Sequence, residues 1–152
     1  MKKFKFQLET LLTVTRMNKE QAEVKLAEAT KDLEEKRTYL SQLLEEMAQG
    51  HRDYERLTTE GTITVGTLMT YNSFFNWKRN QIENQQQLIM QAQDTRQKRM
   101  RELVAIMNKL KSIEQLKEKR LREYMAELLY EEQKMLDEIG GQLYFRQMKE
   151  NA

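Results

Sequence analysis

Two carboxylate pairs, Glu34-Glu35 and Glu45-Glu46, and a single histidine, His51, are the groups that proton-transfer chemistry would draw on. General acid and base work needs two carboxyls whose surroundings hold their proton affinities apart, and that takes a concave, desolvated site. Here the pairs are interspersed with Lys19, Lys25, Lys31 and Lys36. This is the pattern of a solvated helix face, on which i,i+4 ion pairs contribute roughly 0.2–0.5 kcal/mol each. His51 has no second histidine and no cysteine in the chain with which to share a metal. No Gly-x-x-x-x-Gly-Lys-Ser/Thr phosphate loop occurs. The chain therefore reads as a non-enzyme, with no catalytic, cofactor or metal site. The absence of cysteine also rules out disulfides and fits a reducing compartment.

Between Arg96 and Arg122 lie Lys98, Arg99, Arg101, Lys109, Lys111, Lys117, Lys119 and Arg120. Such a stretch could follow a phosphate backbone. Asp94, Glu102, Glu114 and Glu118 interrupt it, and no nucleic-acid-binding motif accompanies it, so a nucleic-acid partner is not expected. An acidic protein ring or anionic headgroups suit it better. Overall, 26 basic residues against 24 acidic ones leave a formal charge of +2, too small to attract polyanions by itself.

The elements that carry these residues are long helices. Of 152 residues 33% are charged and 39% hydrophobic, and none is proline. From Leu8 to Leu57, positions alternately four and three apart are Leu8, Leu12, Thr15, Lys19, Ala22, Leu26, Ala29, Leu33, Lys36, Leu40, Leu43, Met47, Gly50, Tyr54 and Leu57, eleven of them apolar. A 3.5-residue period over many turns keeps one narrow seam facing a partner helix. Gly50 weakens this helix locally, by about 1 kcal/mol relative to alanine. Residues 58–67, with two glycines and a run of β-branched residues, disfavour helix. They form the turn, with Thr64 or Thr67 as cap. A second seam follows from Tyr71 through Phe75, Lys78, Ile82, Gln85, Ile89 and Ala92 to Ile113. Antiparallel pairing sets residues opposite each other when their numbers sum to about 125. Tyr54 then faces Tyr71, Met47 faces Lys78, Leu12 faces Ile113 and Met1 faces residue 124.

The expected architecture is all-α: two long helices in an antiparallel coiled-coil hairpin, about 6–57 and 68–139, with a C-terminal helical overhang and a tail over 140–152. The last 25 or so residues have no partner inside the hairpin. They nonetheless carry Leu128, Leu129, Met135, Leu136 and Ile139 before Gly140-Gly141, where the helix is expected to end. A stripe so apolar implies a partner or self-association. At the other end, Phe4 and Phe6 either pack on the second arm or insert into another protein. Near the turn, Trp77 points outward beside Phe74. It either binds a partner, being a hot-spot residue type, or is partly buried under the turn.

Three stretches together carry a family resemblance: the opening Phe4-Lys-Phe6-Gln-Leu8-Glu-Thr-Leu11-Leu12, the tip Leu68-Met-Thr-Tyr71-Asn-Ser-Phe74 and the ending Glu132-Gln-Lys-Met-Leu-Asp137-Glu138. In order and spacing they resemble the FliJ family of bacterial flagellar export proteins, over essentially the whole chain. The resemblance implies a stalk without catalytic residues, similar to the rotor stalk of rotary ATPases. Its free ends would enter the hexameric export ATPase, through Phe4, Phe6, Leu128, Met135, Leu136 and Ile139. Its turn-proximal region would contact the export gate membrane protein, through Phe74, Lys78, Gln81 and Gln85, the residues that match the family's gate-facing surface, with the exposed Trp77 beside them as a further candidate from its own residue type. Lys78 departs from the family pattern, which usually has an apolar residue there. The resemblance further implies help to export chaperones, a monomeric hairpin, and a cytoplasmic location at the inner face of the membrane without insertion into it. Two rivals are a general coiled-coil chaperone that grips unfolded chains and a structural coiled coil that pairs with its own copy.

Overall fold

A chain without proline that repeats its apolar residues every 3.5 positions has few places to stop a helix. In the computed structural model, which describes residues 3–151, α1 runs Glu9–Glu60 and α2 runs Val65–Glu150. The two helices pack against each other as an all-α hairpin, with no strand among the described residues. By packing, the chain divides into two compact units, residues 19–105 and residues 1–18 with 106–152.

In the unit of residues 19–105, the break between the helices is shorter than expected: only residues 61–64 leave the helical path. Both stops are local. Gly61 takes a left-handed φ of 69°. Its N–H donates to the Thr58 carbonyl (3.2 Å) and that of Thr62 to the Leu57 carbonyl (3.4 Å), the paired bonds of a Schellman stop. Thr64 starts α2, its Oγ1 accepting from the Thr67 N–H at 3.2 Å, as an N-cap does. The hydroxyls of Thr58 and Thr59 donate back to the carbonyls of Tyr54 and Glu55, which satisfies them within the last turns of α1.

The core of this unit is a single file. Leu33, Ile89 and Ala92 cluster, with Leu40 against them. Towards the turn the file becomes aromatic, Tyr54 meeting Tyr71 edge-on at 5.6 Å and His51 stacking on Phe75 at 4.1 Å. Gly50 is buried among these rings. A Cβ built there would lie 2.6 Å from the Phe74 ring and 3.3 Å from that of Phe75. The weak point expected in α1 is instead a space for two aromatic rings, and the helix runs through it unbroken.

In the unit that holds the chain ends, Leu12, Leu110 and Ile113 cluster, and Phe6 packs against them. Phe4 reaches Tyr124 at 5.6 Å between ring centroids. Met1, expected near that level, lies outside the described residues. The ion pairs Lys117–Glu9 (2.9 Å) and Arg16–Glu114 (3.5 Å) flank the seam. Buried Thr15 donates to the Leu11 carbonyl at 2.7 Å, so its hydroxyl costs little inside the seam.

Every seam position along α1 is buried or half-buried, and so is every one on α2 from Tyr71 to Ile113; Leu8, just before α1, is exposed. Helix α2 does not stop at Gly140-Gly141 but continues to Glu150. A glycine stop requires a left-handed residue, and Gly61 is the one glycine with positive φ. At Gly141 an added Cβ would meet nothing within 4 Å. Gly141→Ala should therefore stabilise the helix around it by about 1 kcal/mol. Slower amide exchange over residues 137–145, with the hairpin unchanged, is the expected result; unchanged exchange would contradict a continuous helix there.

Candidate functional site

Neither surface singled out in the sequence has the form of a catalytic pocket. Glu34 and Glu35 stand on the exposed face of α1, Glu34 pairing with Arg37 at 3.2 Å. Among the described residues no group of three or more His, Cys, Asp or Glu could hold a metal ion. What the helices present is a groove in one unit and an exposed apolar helix in the other.

In the unit of residues 19–105, the face near the turn is a groove of about 720 Å³ between the helices. Its apolar floor is Tyr71 and Phe74, and α1 supplies a rim of Glu45, Glu46, Gln49 and Asp53. The five residues assigned to the gate separate by burial. Trp77 is 56% exposed and Phe74 half-buried, edge-on to Phe75. Lys78 is turned into the helix pair with only 5% exposure. Its ammonium pairs with Glu46 and lies 5.1 Å from the Trp77 ring centroid and 5.7 Å from that of Phe74. The stem of Lys78 thus fills a seam position while its charge finds a carboxylate and two ring faces at the edge. Gln85 is buried too, donating from Nε2 to the Lys36 carbonyl at 2.9 Å across the interface. Gln81 is half-buried, and its Oε1 has no hydrogen-bond partner. What stays accessible on this face is therefore Trp77, the outer edge of Phe74 and the acidic rim.

The acidic rim is a feature of the groove that the sequence reading missed. Glu45 and Glu46 read as solvated charges because nothing in α1 alone brings aromatic rings beside them. Heptad position was the available signal, since Glu46 directly precedes the seam residue Met47 and flanks the partner helix.

In the other unit the residues assigned to the ATPase also divide. Phe4 and Phe6 are spent on the hairpin itself, against Tyr124 and the Leu12 cluster. Leu128 is half-buried, while Met135, Leu136 and Ile139 are exposed. The continuation of α2 adds Leu143, Tyr144, Phe145 and Met148, all exposed. From Leu129 to Glu150, about 33 Å of helix, every large apolar side chain is exposed among the described residues.

The family model described as Flagellar FliJ protein matches residues 4–149. No characterised protein and no solved structure matches the chain.

Proposed function

Because the chain belongs to the FliJ family of flagellar export proteins, we propose that it is a non-enzymatic stalk of the export apparatus. It links the hexameric export ATPase to the membrane export gate and assists export chaperones. The observation that carries this reading is the bare end of α2, a preformed helix whose apolar residues from Leu129 onward stand exposed among the described residues. A helix already ordered before binding loses little conformational entropy when a ring closes around it. Phe4 and Phe6 would act there by holding the base of that helix rather than by touching the ring. The groove near the turn supports the second contact, with Trp77 and Phe74 as apolar anchors and Glu45, Glu46 and Asp53 as an acidic rim for basic residues of the gate. No helix among the described residues is long and apolar enough to cross a membrane, so a place at the inner membrane face would come through the gate. The stalk would help assemble the ring and couple its state to the gate, and the chain itself hydrolyses nothing.

Replacing both Leu128 and Met135 with glutamate should abolish co-purification with the export ATPase of the same organism. The hairpin should lose little of its melting temperature, because Met135 is exposed and Leu128 lies half-buried at the end of the file, outside the buried cluster of Leu12, Leu110 and Ile113. Undiminished association would overturn the assignment of this helix to the ATPase.

A further inference from the structure

The bare end of α2 carries a second pattern, on a different face from the one that continues the hairpin seam. Met125, Leu129, Glu132, Leu136, Ile139, Leu143 and Arg146 are spaced alternately four and three apart. That is a complete coiled-coil seam of about three heptads. Its five apolar members are all exposed, from 48% at Ile139 to 66% at Leu129. They turn away from the file that runs from Ile113 through Tyr124 and Leu128. The hairpin thus uses one face of α2 and leaves another, equally regular, with no helix upon it.

We propose that the occupant of this seam is the same segment of a second copy of the chain, running antiparallel. The charges choose the direction. In a parallel pair Glu132 would face the second copy's Glu132, and Arg146 its Arg146. In an antiparallel pair, seam residues face each other when their numbers sum to about 275. Leu136 and Ile139 then form the two central layers with their counterparts. Glu132 comes within one layer of the second copy's Arg146, an opposite-charge pair made twice by the two-fold axis.

The flanks fit as well. On one side of the seam stand Ala126, Gln133, Gly140 and Gln147, and on the other Leu128, Met135, Gln142 and Lys149. No carboxylate stands in either row; Glu127, Glu131, Asp137 and Glu138 all point elsewhere on the helix. The flanking pair Arg16–Glu114 within the hairpin fixes how such rows meet in this chain. Transferred to the dimer, it sets Gly140 against the second copy's Gly140 and Met135 against its Met135. A glycine in mid-helix with open space around it thereby gains a reason, since two backbones can approach closely there. Leu136 and Ile139 also belong to the surface that the stalk reading gives to the ATPase. Pairing would hide that surface until the ring displaces the second copy, a corollary that rests on that reading.

The test uses the full chain alone, without the ATPase, so its outcome does not depend on the stalk reading. A seam of about three heptads is marginal, so light scattering should show a mass that rises with concentration. It should approach twice the 18.3 kDa of one chain at concentrations on the order of 100 µM. Leu136→Glu with Ile139→Glu should return it to one chain while the hairpin still melts as before. Direction is read by cross-linking, because the chain has no cysteine of its own. Leu129→Cys and Arg146→Cys chains should form a mixed disulfide dimer when combined, and little of either self-linked dimer. A mass of one chain at every concentration would overturn the proposal, and so would self-linking of each variant in preference to the mixture.

Discussion

Leu12→Ala should destabilise the unit at the chain ends by about 2–5 kcal/mol. Leu12 is fully buried, packed with Leu110 and Ile113 and roofed by Phe6. Deleting its side chain removes the transfer free energy of three carbons and leaves a void. In a core only one side chain wide, few neighbours can move to fill it. The seam offers no second layer to share the loss, so the cost falls on this end of the hairpin. Urea unfolding followed by circular dichroism should show an earlier first transition. Leu11→Ala next door, where the side chain is 37% exposed, should move it by no more than about 0.5 kcal/mol. Equal effects of the two substitutions would mean that the seam is not where α1 meets α2.

Gly50→Leu is expected to be the most damaging change in the turn-side unit, although glycine is a poor helix residue. The usual gain from replacing a mid-helix glycine, about 1 kcal/mol for alanine, is opposed here by sterics. The first added carbon would already be 2.6 Å from the Phe74 ring. The remaining carbons of leucine would then need the space held by Phe75. Overpacking of this kind costs about 1–3 kcal/mol, and the adjustment would disturb the stack of Phe75 with His51. The melting temperature should fall. The near-ultraviolet dichroism of the aromatic file should change with it. A stabilised Gly50→Leu protein would show that the rings do not occupy this space. The contrast with Gly141 makes the point physical: the same residue type in the same kind of helix responds oppositely, because one is packed against rings and the other faces open space.

That contrast also marks what the sequence could reveal. The seams were legible because a 3.5-residue period is a property of the chain itself, and Leu12, Leu33, Phe75 and Leu110 are all buried where that period puts them. Their register followed from the position of the turn, and Tyr54 meets Tyr71 as expected. The exact stops were harder to read, because they depend on particular hydrogen bonds. Thr64 as cap and Gly61 in a left-handed conformation shorten the turn to four residues. Gly140-Gly141 looked like a stop by composition but lacks that conformation. Gly50 could not be understood from α1 alone, since its meaning lies in rings contributed by α2.

The exposure of the apolar residues outside the seam was partly legible for the same reason. Trp77 and the residues from Met135 to Ile139 stand exposed, as an unpaired apolar residue on a polar helix suggests. Lys78 and Gln85 were assigned at once to the seam and to the gate surface, and their burial is that of seam residues. The buried lysine is tolerated because Glu46 reaches it from the facing helix. Polar residues within an apolar seam are a recognised way to hold register at some cost in stability. The acidic rim of the groove, by contrast, becomes visible only when both helices are in place.

In the proposed function the bare end of α2 is a ready-made helix for the export ATPase. The most direct test of that role is the mass, by light scattering, of the ATPase from the same organism with and without this chain. The expected result is that the chain joins the ATPase in one species and shifts it towards the hexamer, with one hairpin for each ring. Two separate peaks with unchanged masses, at concentrations where the ATPase forms its hexamer, would contradict it.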